Sequence, residues 1–408
     1  MIVIFEDREA VNNLKPFSLV RPVQDIKCGF FTVVERVSKI YNANVKLLTR
    51  REISFFYPEY LLLKDQDLVN EDDVIFSNAS FLLPEEDFKN LESQILVYKG
   101  RIIQIHTKVK DIKNLDMLLS AVYENDLDKV KDSFKVSLEV VEKKEVKCFV
   151  SYPWDIINLN KFLMLKDFEL LVKEFPRSDQ TVELEGGSDL LLISPKSKVS
   201  KGVFVDTTDG PVVIDDGAKV LPLTVITGPS YIGKGSVVSQ ARIREGTNIR
   251  DVCKVSGEVE ESIIDSYSNK NHEGFLGHSY VGQWVNIGAM ATNSDLKNTY
   301  DEVKVFVEPR KVVSTGMIKV GCFIGDLSKI GIGVLINTGT MIGIGANIFF
   351  EGELIRKYVP NFAWGGKEPY KKFPFDRLIN TSKTMFSRRN KEFPKFLEDI
   401  LKNLYNSG

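Results

Sequence analysis

The sequence predicts two fold classes in one chain. An α/β, Rossmann-like N-terminal domain is followed by an all-β left-handed parallel β-helix built on a hexapeptide repeat, and a short helical tail closes the chain. Three observations carry this. Strand and helix patterns alternate up to about residue 175. From about 201 to 365, branched aliphatics recur at every sixth position. Residues 366–408 lose that beat and read as one or two helices. The domains expected from these changes of period are 1–180, 190–365 and 366–408, in keeping with two or three domains for a chain of 408 residues.

In the first domain, "IVIF", "VKLLT" and "DVIFSN" are short apolar runs of the kind buried strands use. Between the first two, Phe30, Val33, Val34, Val37, Ile40 and Tyr41 form a stripe at helical spacing. "ILVYKGRIIQIH" reads as a hairpin turning at Lys99 and Gly100. "WDIINLNKFLMLKDFELLVKEF" reads as an amphipathic helix starting near Asp155 or Asn158. Alternating strands and helices imply a mainly parallel sheet with both faces covered, and such sheets bind ligands beyond the carboxyl ends of their strands. "FEDREAVNN", after the first strand, falls at such a place. Residues 176–200 mix charge, Gly and Ser and read as a linker with an entry strand.

The second period is stricter. Ile318, Ile324, Ile330, Ile336, Ile342 and Ile348 are six apart. Ile214, Val220, Ile226, Ile232 and Val238 keep the same step, and one step of five leads to Ile243, Ile249 and Val255. A helix with 3.6 residues per turn cannot hold such a stripe on one face. A β-helix can: each hexad makes one flat side of a three-sided coil with the aliphatic inside, and residues tolerant of positive φ turn the corners. The same beat explains "IGIGVLINTGTMIGIGANIFF" better than a membrane span does. The helical tail is expected to cap the open end of the coil stack.

Composition narrows the function. A formal net charge of −2 lacks the basic excess that a phosphate backbone demands, so nucleic acid is not an expected partner. Glu6, Asp7 and Arg8 interrupt the apolar start that a signal peptide would need, so the expected location is cytoplasmic, with no membrane partner. Cys28, Cys148, Cys253 and Cys322 are far apart and read as buried thiols. Two of the three histidines, His272 and His278, lie in "NKNHEGFLGHSYVGQWVNIGA". A lone histidine is more often a surface or hydrogen-bonding residue than a catalyst. His278 reads as a corner or surface residue.

Here the sequence resembles the β-helical half of the bifunctional N-acetylglucosamine-1-phosphate uridyltransferase/glucosamine-1-phosphate acetyltransferases. "NHEGFLG" and "VNIGAM" take the places of that family's N-H-x-x-Y-x-G and V-N-I-G-A-G. The resemblance implies that His272 is the general base, deprotonating an acceptor amine as it attacks the thioester of acetyl-CoA, and that Asn286 helps to bind sugar or cofactor. It also implies departures. Phe275 stands where the family has tyrosine. A basic residue gives way to acidic "EVEES". Arg244, in "ARIREG", matches R-L-R-P-G and is the remaining phosphate candidate. A second family asparagine falls on Asp295, with Asn293 near. Zinc hydratases built on the same coil use three histidines, and two here are too few.

"LKPFSLVRPV" resembles the L-x-P-L-T-x-x-R-P-K block of sugar-1-phosphate nucleotidyltransferases, which cradle nucleotide phosphates in a Gly-rich loop. That loop is "FEDREAVNN" here, without glycine, and the metal-holding aspartate is replaced around "FSNAS". A closer resemblance spans both domains, to a branch labelled sugar nucleotidyltransferases, through "SLVRPVQDI", "YPWDIINLN", "SNKNHEGFLGHSYVGQW", "NSDLKN" and "NFAWGG". Arg8, in the loop beyond the first strand, Arg21, within the matching block, and Asp25 are the candidates for a nucleotide or sugar-phosphate site, against a bland reading as surface ion pairs. Asn78 is the metal or sugar candidate, and Trp154 a packing anchor. The implied partners are a nucleoside triphosphate with Mg²⁺, a sugar phosphate and acetyl-CoA, in a homotrimer joined through the coils. The alternative is a degenerate nucleotidyltransferase that binds sugar nucleotides or serves as a scaffold, with the acetyltransferase site alone working, or neither.

Overall fold

The computed structural model describes residues 1–57, 62–69, 71–83, 92–178 and 180–407. The chain divides into two compact units. One comprises Met1–Leu14, Ser18–Lys27 and Phe31–Asp155; the other comprises Lys15–Phe17, Cys28–Phe30 and Ile156–Gly408. The long helix expected at the end of the first domain therefore belongs almost wholly to the second unit.

The first unit is built on a six-stranded sheet. Its strands are β1 (Ile2–Phe5), β2 (Val45–Leu48), β3 (Asp73–Asn78), β4 (Gln94–Tyr98), β5 (Arg101–Lys108) and β6 (Glu139–Glu142), in the order β2-β1-β3-β5-β4-β6. The pairs β1–β2, β1–β3 and β4–β6 are parallel, whereas β5 runs antiparallel to both neighbours. The sheet is mixed because the Lys99–Gly100 hairpin forms. Both turn residues have positive φ, 50° and 74°, as a two-residue turn requires. The expected stripe becomes α2 (Val33–Tyr41), which buries Val33 and Val37 and starts with a Thr32–Glu35 capping box. Two further helices, α3 (Leu115–Glu124) and α4 (Leu127–Asp132), pack Leu118, Ala121, Val122 and Val130 against the sheet core.

The second unit is the coil. In one of its sheets Ile193, Ile214, Ile232, Ile249, Ile264, Val281, Ile324, Ile342 and Val359 pair in parallel register, one from each successive turn. All are buried. The hexad columns hold with one exception: Ile318 is 54% exposed. It lies outside the stack, because the chain leaves the coil after Asp295, makes the hairpin Lys304–Glu308/Lys311–Ser314, and rejoins the register at Cys322. The corners are less selective than the sequence suggests. Leu223, Val252, Tyr267, His278, Trp284 and Met290 all take positive φ there. This strain persists because parallel pairing on both sides over-determines the turn.

Helix α5 (Pro153–Leu171) precedes the coil. The tail folds as α6 (Phe375–Ser387) and α7 (Lys395–Ser407). It does more than cap an end. Phe386 of α6 stacks on Trp284 at 3.8 Å, and Arg389 donates to Asn269, both several turns back from the last coil. No helix among the described residues is long and apolar enough to cross a membrane.

Candidate functional sites

In the first unit, β1, β2 and β3 end side by side, and a buried polar cluster occupies their carboxyl ends. Glu6 and Asp7 follow β1, Thr49 and Arg50 follow β2, and Asn78 and Ser80 close β3. Asp7 is fully buried and caps the six-residue helix α1 (Arg8–Asn13), accepting from the Ala10 amide at 2.7 Å. Its other oxygen accepts from Arg101 Nη2 at 2.7 Å, Arg101 Nε at 3.0 Å and Asn78 Nδ2 at 2.6 Å. Glu6 is equally committed: it accepts from Thr49 Oγ1 and the Arg50 amide, and it pins the Arg-Pro-Val loop through the Val23 amide at 3.0 Å.

This geometry sorts the expected residues. Arg21 is buried, and its carbonyl accepts from Arg50. Asp25 is half-buried and acts electrostatically on Tyr57, whose buried hydroxyl has no hydrogen-bond partner among the described residues. Burial, then the charges of Asp25 and Glu6, push that phenol well above its usual range. Asn78 spends its amide on Asp7, the Ile102 carbonyl and the Ser80 amide. Arg8 is not part of the cluster: it is exposed and pairs with Glu124 at 2.8 Å. Trp154 is buried and stacked on Tyr152, the packing role expected of it.

The magnesium that the resemblance implies does not fit these residues. Both carboxylates are saturated by internal donors, Asn78 is neutral and used up, and no cluster of three His, Cys, Asp or Glu side chains suited to a metal occurs among the described residues. Arg101, which sequence reasoning missed, is the counter-ion that keeps Asp7 buried. Nothing local marks it, because it lies 94 residues away in sequence.

In the second unit the motif histidines part company. His272 is exposed, and its imidazole makes no hydrogen bond among the described residues. Its loop is tethered from below. Lys270 takes the register position of Val255 and Ile287, is 2% exposed, and donates its ammonium to the carbonyls of Ser256 at 2.8 Å and His272 at 3.1 Å. Burial pushes that ammonium down to about 8. A lysine breaking an aliphatic column was the available signal for this tether.

His278 does sit at a corner, with φ of 46°, but it is not a surface residue. Its side chain is 8% exposed, with Nδ1 2.7 Å from Asp295 and Nε2 3.8 Å from Glu261. Burial raises the Asp295 carboxyl, but the His278 hydrogen bond and charge, helped by Lys319, outweigh it and hold it below its usual value. Gly277 is required beside this pair. A Cβ there would lie 2.4 Å from the Phe275 ring and 2.5 Å from Asp295. Phe275 is half-buried, in register with Glu258. Arg244 is held by Glu260 at 2.9 Å and lies 3.6 Å from Glu258, so its charge is answered within the chain. Asn293 is buried and bonds the backbone of Gly277 in both directions. Asn286 is exposed and lines a different feature, a cavity beside α6. His272 and Phe275 thus share one turn, Arg244 lies two turns away with the Glu258–Glu260 strand between them, and Asn293 is structural.

Comparison with known proteins agrees with this architecture. The profile of the family described as "Sugar nucleotidyl transferase" matches residues 2–175. A protein of Escherichia coli named "Putative uncharacterized acetyltransferase YaiX" is 30% identical over 165 residues, covering 38% of this chain and 71% of that protein. A bifunctional sugar-1-phosphate nucleotidylyltransferase/acetyltransferase of Sulfurisphaera tokodaii is 29% identical, but the match spans only 47% of its length and 52% of this chain. The bifunctional protein GlmU of Methanocaldococcus jannaschii is 26% identical over 82% of this chain and 87% of its own.

Proposed function

The chain belongs to the family of sugar nucleotidyl transferases that carry a β-helical acetyltransferase half, and from this we propose that its coil unit transfers an acetyl group from acetyl-CoA to the amine of an amino sugar. The amine nitrogen attacks the thioester carbonyl, the C–S bond breaks, and coenzyme A leaves as the thiolate. His272 takes the proton that the nitrogen sheds. The observation that carries this assignment is the contrast between the two imidazoles. Both ring nitrogens of His278 face carboxylates, whereas the His272 ring is open to a substrate on a loop fixed from inside the coil. A base needs a free lone pair within reach of the proton it removes.

The paired Arg244 argues for an acceptor other than glucosamine-1-phosphate, since the phosphate would compete with Glu258 and Glu260 for that guanidinium. Assembly as a homotrimer would supply crevices between neighbouring coils for the pantetheine arm. His272→Ala is expected to lower kcat for acetyl transfer by a factor of about 10² or more without changing the melting temperature. Thiol release from acetyl-CoA at the wild-type rate in that variant would remove His272 from the reaction.

For the first unit the family's activity is nucleotidyl transfer onto a sugar-1-phosphate, and we infer a sugar-nucleotide site at the strand ends. Asp7 favours a second reading, in which this unit binds without transferring. A buried carboxylate occupies the helix start where a phosphate would sit. Pyrophosphate release from UTP, dTTP or GTP with hexose-1-phosphates and Mg²⁺ decides between them. Turnover supports transfer, and saturable binding without release supports the second reading.

A further inference from the structure

Beside α6 the coil leaves a cavity of about 240 Å³. Four basic side chains line it: Lys254 and Lys329 from the coil, and Arg388 and Arg389 from the segment that follows α6. No Asp or Glu lines it, and none of the four forms an ion pair among the described residues. The coil supplies its share by register. Lys254, Asn269, Asn286 and Lys329 succeed one another in one row of paired strands, so their side chains stack on one outer face. Arg389 is braced by Asn269 Oδ1 at 3.0 Å. Lys329 donates to the carbonyls of Leu327 at 2.7 Å and Trp284 at 3.3 Å, which leaves one of its three N–H donors for a ligand.

We propose that this cavity is a binding site for a compact phosphate-bearing anion, an inorganic diphosphate or a sugar phosphate. Like charges gathered with no counter-charge are costly, and an anion removes that cost. Two arginines beside two lysines suit phosphate oxygens, the arginines through forked donors and the lysines as point charges. The size and the aromatics decide against a whole nucleotide. Ligand pockets for drug-sized molecules usually exceed about 300 Å³. Trp284 has Tyr267 on one side at 4.4 Å and Phe386 at 3.8 Å, while Lys391 approaches the Tyr267 ring at 5.4 Å. Those rings are already engaged, so the site reads charge and has no stacking platform for a base. This goes beyond the acetyl-transfer reading and does not depend on His272.

A second property follows from the same walls. The titratable groups facing Lys329 across the cavity are Lys254, Tyr267, Arg388 and Arg389, none of them acidic at neutral pH. Burial pushes the Lys329 ammonium down to about 7. A bound anion raises it again, so binding takes up a proton near and above pH 7, and affinity falls as pH rises from there.

The test is calorimetric titration of the full chain with inorganic pyrophosphate and, separately, with glucose-1-phosphate, using glucose as the uncharged control. Binding of either phosphate is expected, with the tighter arm naming the source. Lys254 and Arg388 are exposed, so Lys254→Ala/Arg388→Ala should fold normally and weaken binding at least tenfold. Lys329→Met should abolish proton uptake, measured in buffers of different ionisation enthalpy. No heat with either phosphate, or equal affinity in wild type and the double variant, overturns the proposal. Should the double variant lose its circular dichroism signal, the Lys329→Met proton count decides alone.

Discussion

His278 and Asp295 show how one residue's surroundings set its role. The sequence places His278 in the same motif as His272, yet the corner sets its ring onto a carboxylate, Asp295, at the point where the chain leaves the coil. Because the Asp295 pKa is depressed in the fold, its contribution is present above the unfolded value of about 4 and is lost as pH falls through the lower folded value. Asp295→Asn is therefore expected to cost about 1–3 kcal/mol at pH 7 and to flatten the loss of stability below pH 4. Urea titrations at pH 7 and pH 3 measure both. An equal loss at the two pH values would mean that the charge contributes nothing.

Elements keep the six-residue beat through most of the coil, with shorter steps such as Val255 to Val259 and Leu276 to Val281, and the residue that keeps the beat outside the coil is instructive. Ile318 and Ile324 are indistinguishable by spacing, but one is 54% exposed and the other fully buried in the register column. Ile324→Ala should cost about 2–5 kcal/mol through a cavity in the stack. Ile318→Ala should change stability by less than about 0.5 kcal/mol. Thermal unfolding of the two variants compares them directly. The repeat was legible because the coil fills nearly every inward position with an apolar residue, Lys270 being an exception. The hairpin that interrupts it was not, since Ile318 keeps the period by chance after the chain has left the stack. The lateral docking of α6 was also illegible: an amphipathic helix announces an apolar face, not the surface it will meet.

At the scale of the whole molecule the two units face acid differently. In the first, burial and Lys143 push His106 down to about 4. A base held neutral in the fold stabilises above its unfolded pKa near 6.5, and that stability is lost as pH falls toward 4. Acidification from pH 7 to pH 4 should therefore remove about 2–3 kcal/mol from the first unit, and His106→Gln should abolish most of that drop. Two unfolding transitions that separate on acidification, the earlier one moved by His106→Gln, would show this in calorimetry.

The amino-acid order by itself determined the coil, the parallel trio of strands, the Lys99–Gly100 turn and the four buried thiols, because each follows from short-range periodicity, turn chemistry or composition. It also located the neighbourhoods of function, the segment after β1 and the motif around His272. Only the tertiary structure decided which groups there are free. Asp7 meets Arg101, Lys270 reaches into the stack, Asp295 claims His278, and four basic side chains from the coil and the tail meet around one cavity. These pairings join residues from 2 to more than 90 positions apart. Whether a side chain keeps a lone pair or a charge for a substrate depends on those partners, and partnership across such distances is set by packing, not by spacing.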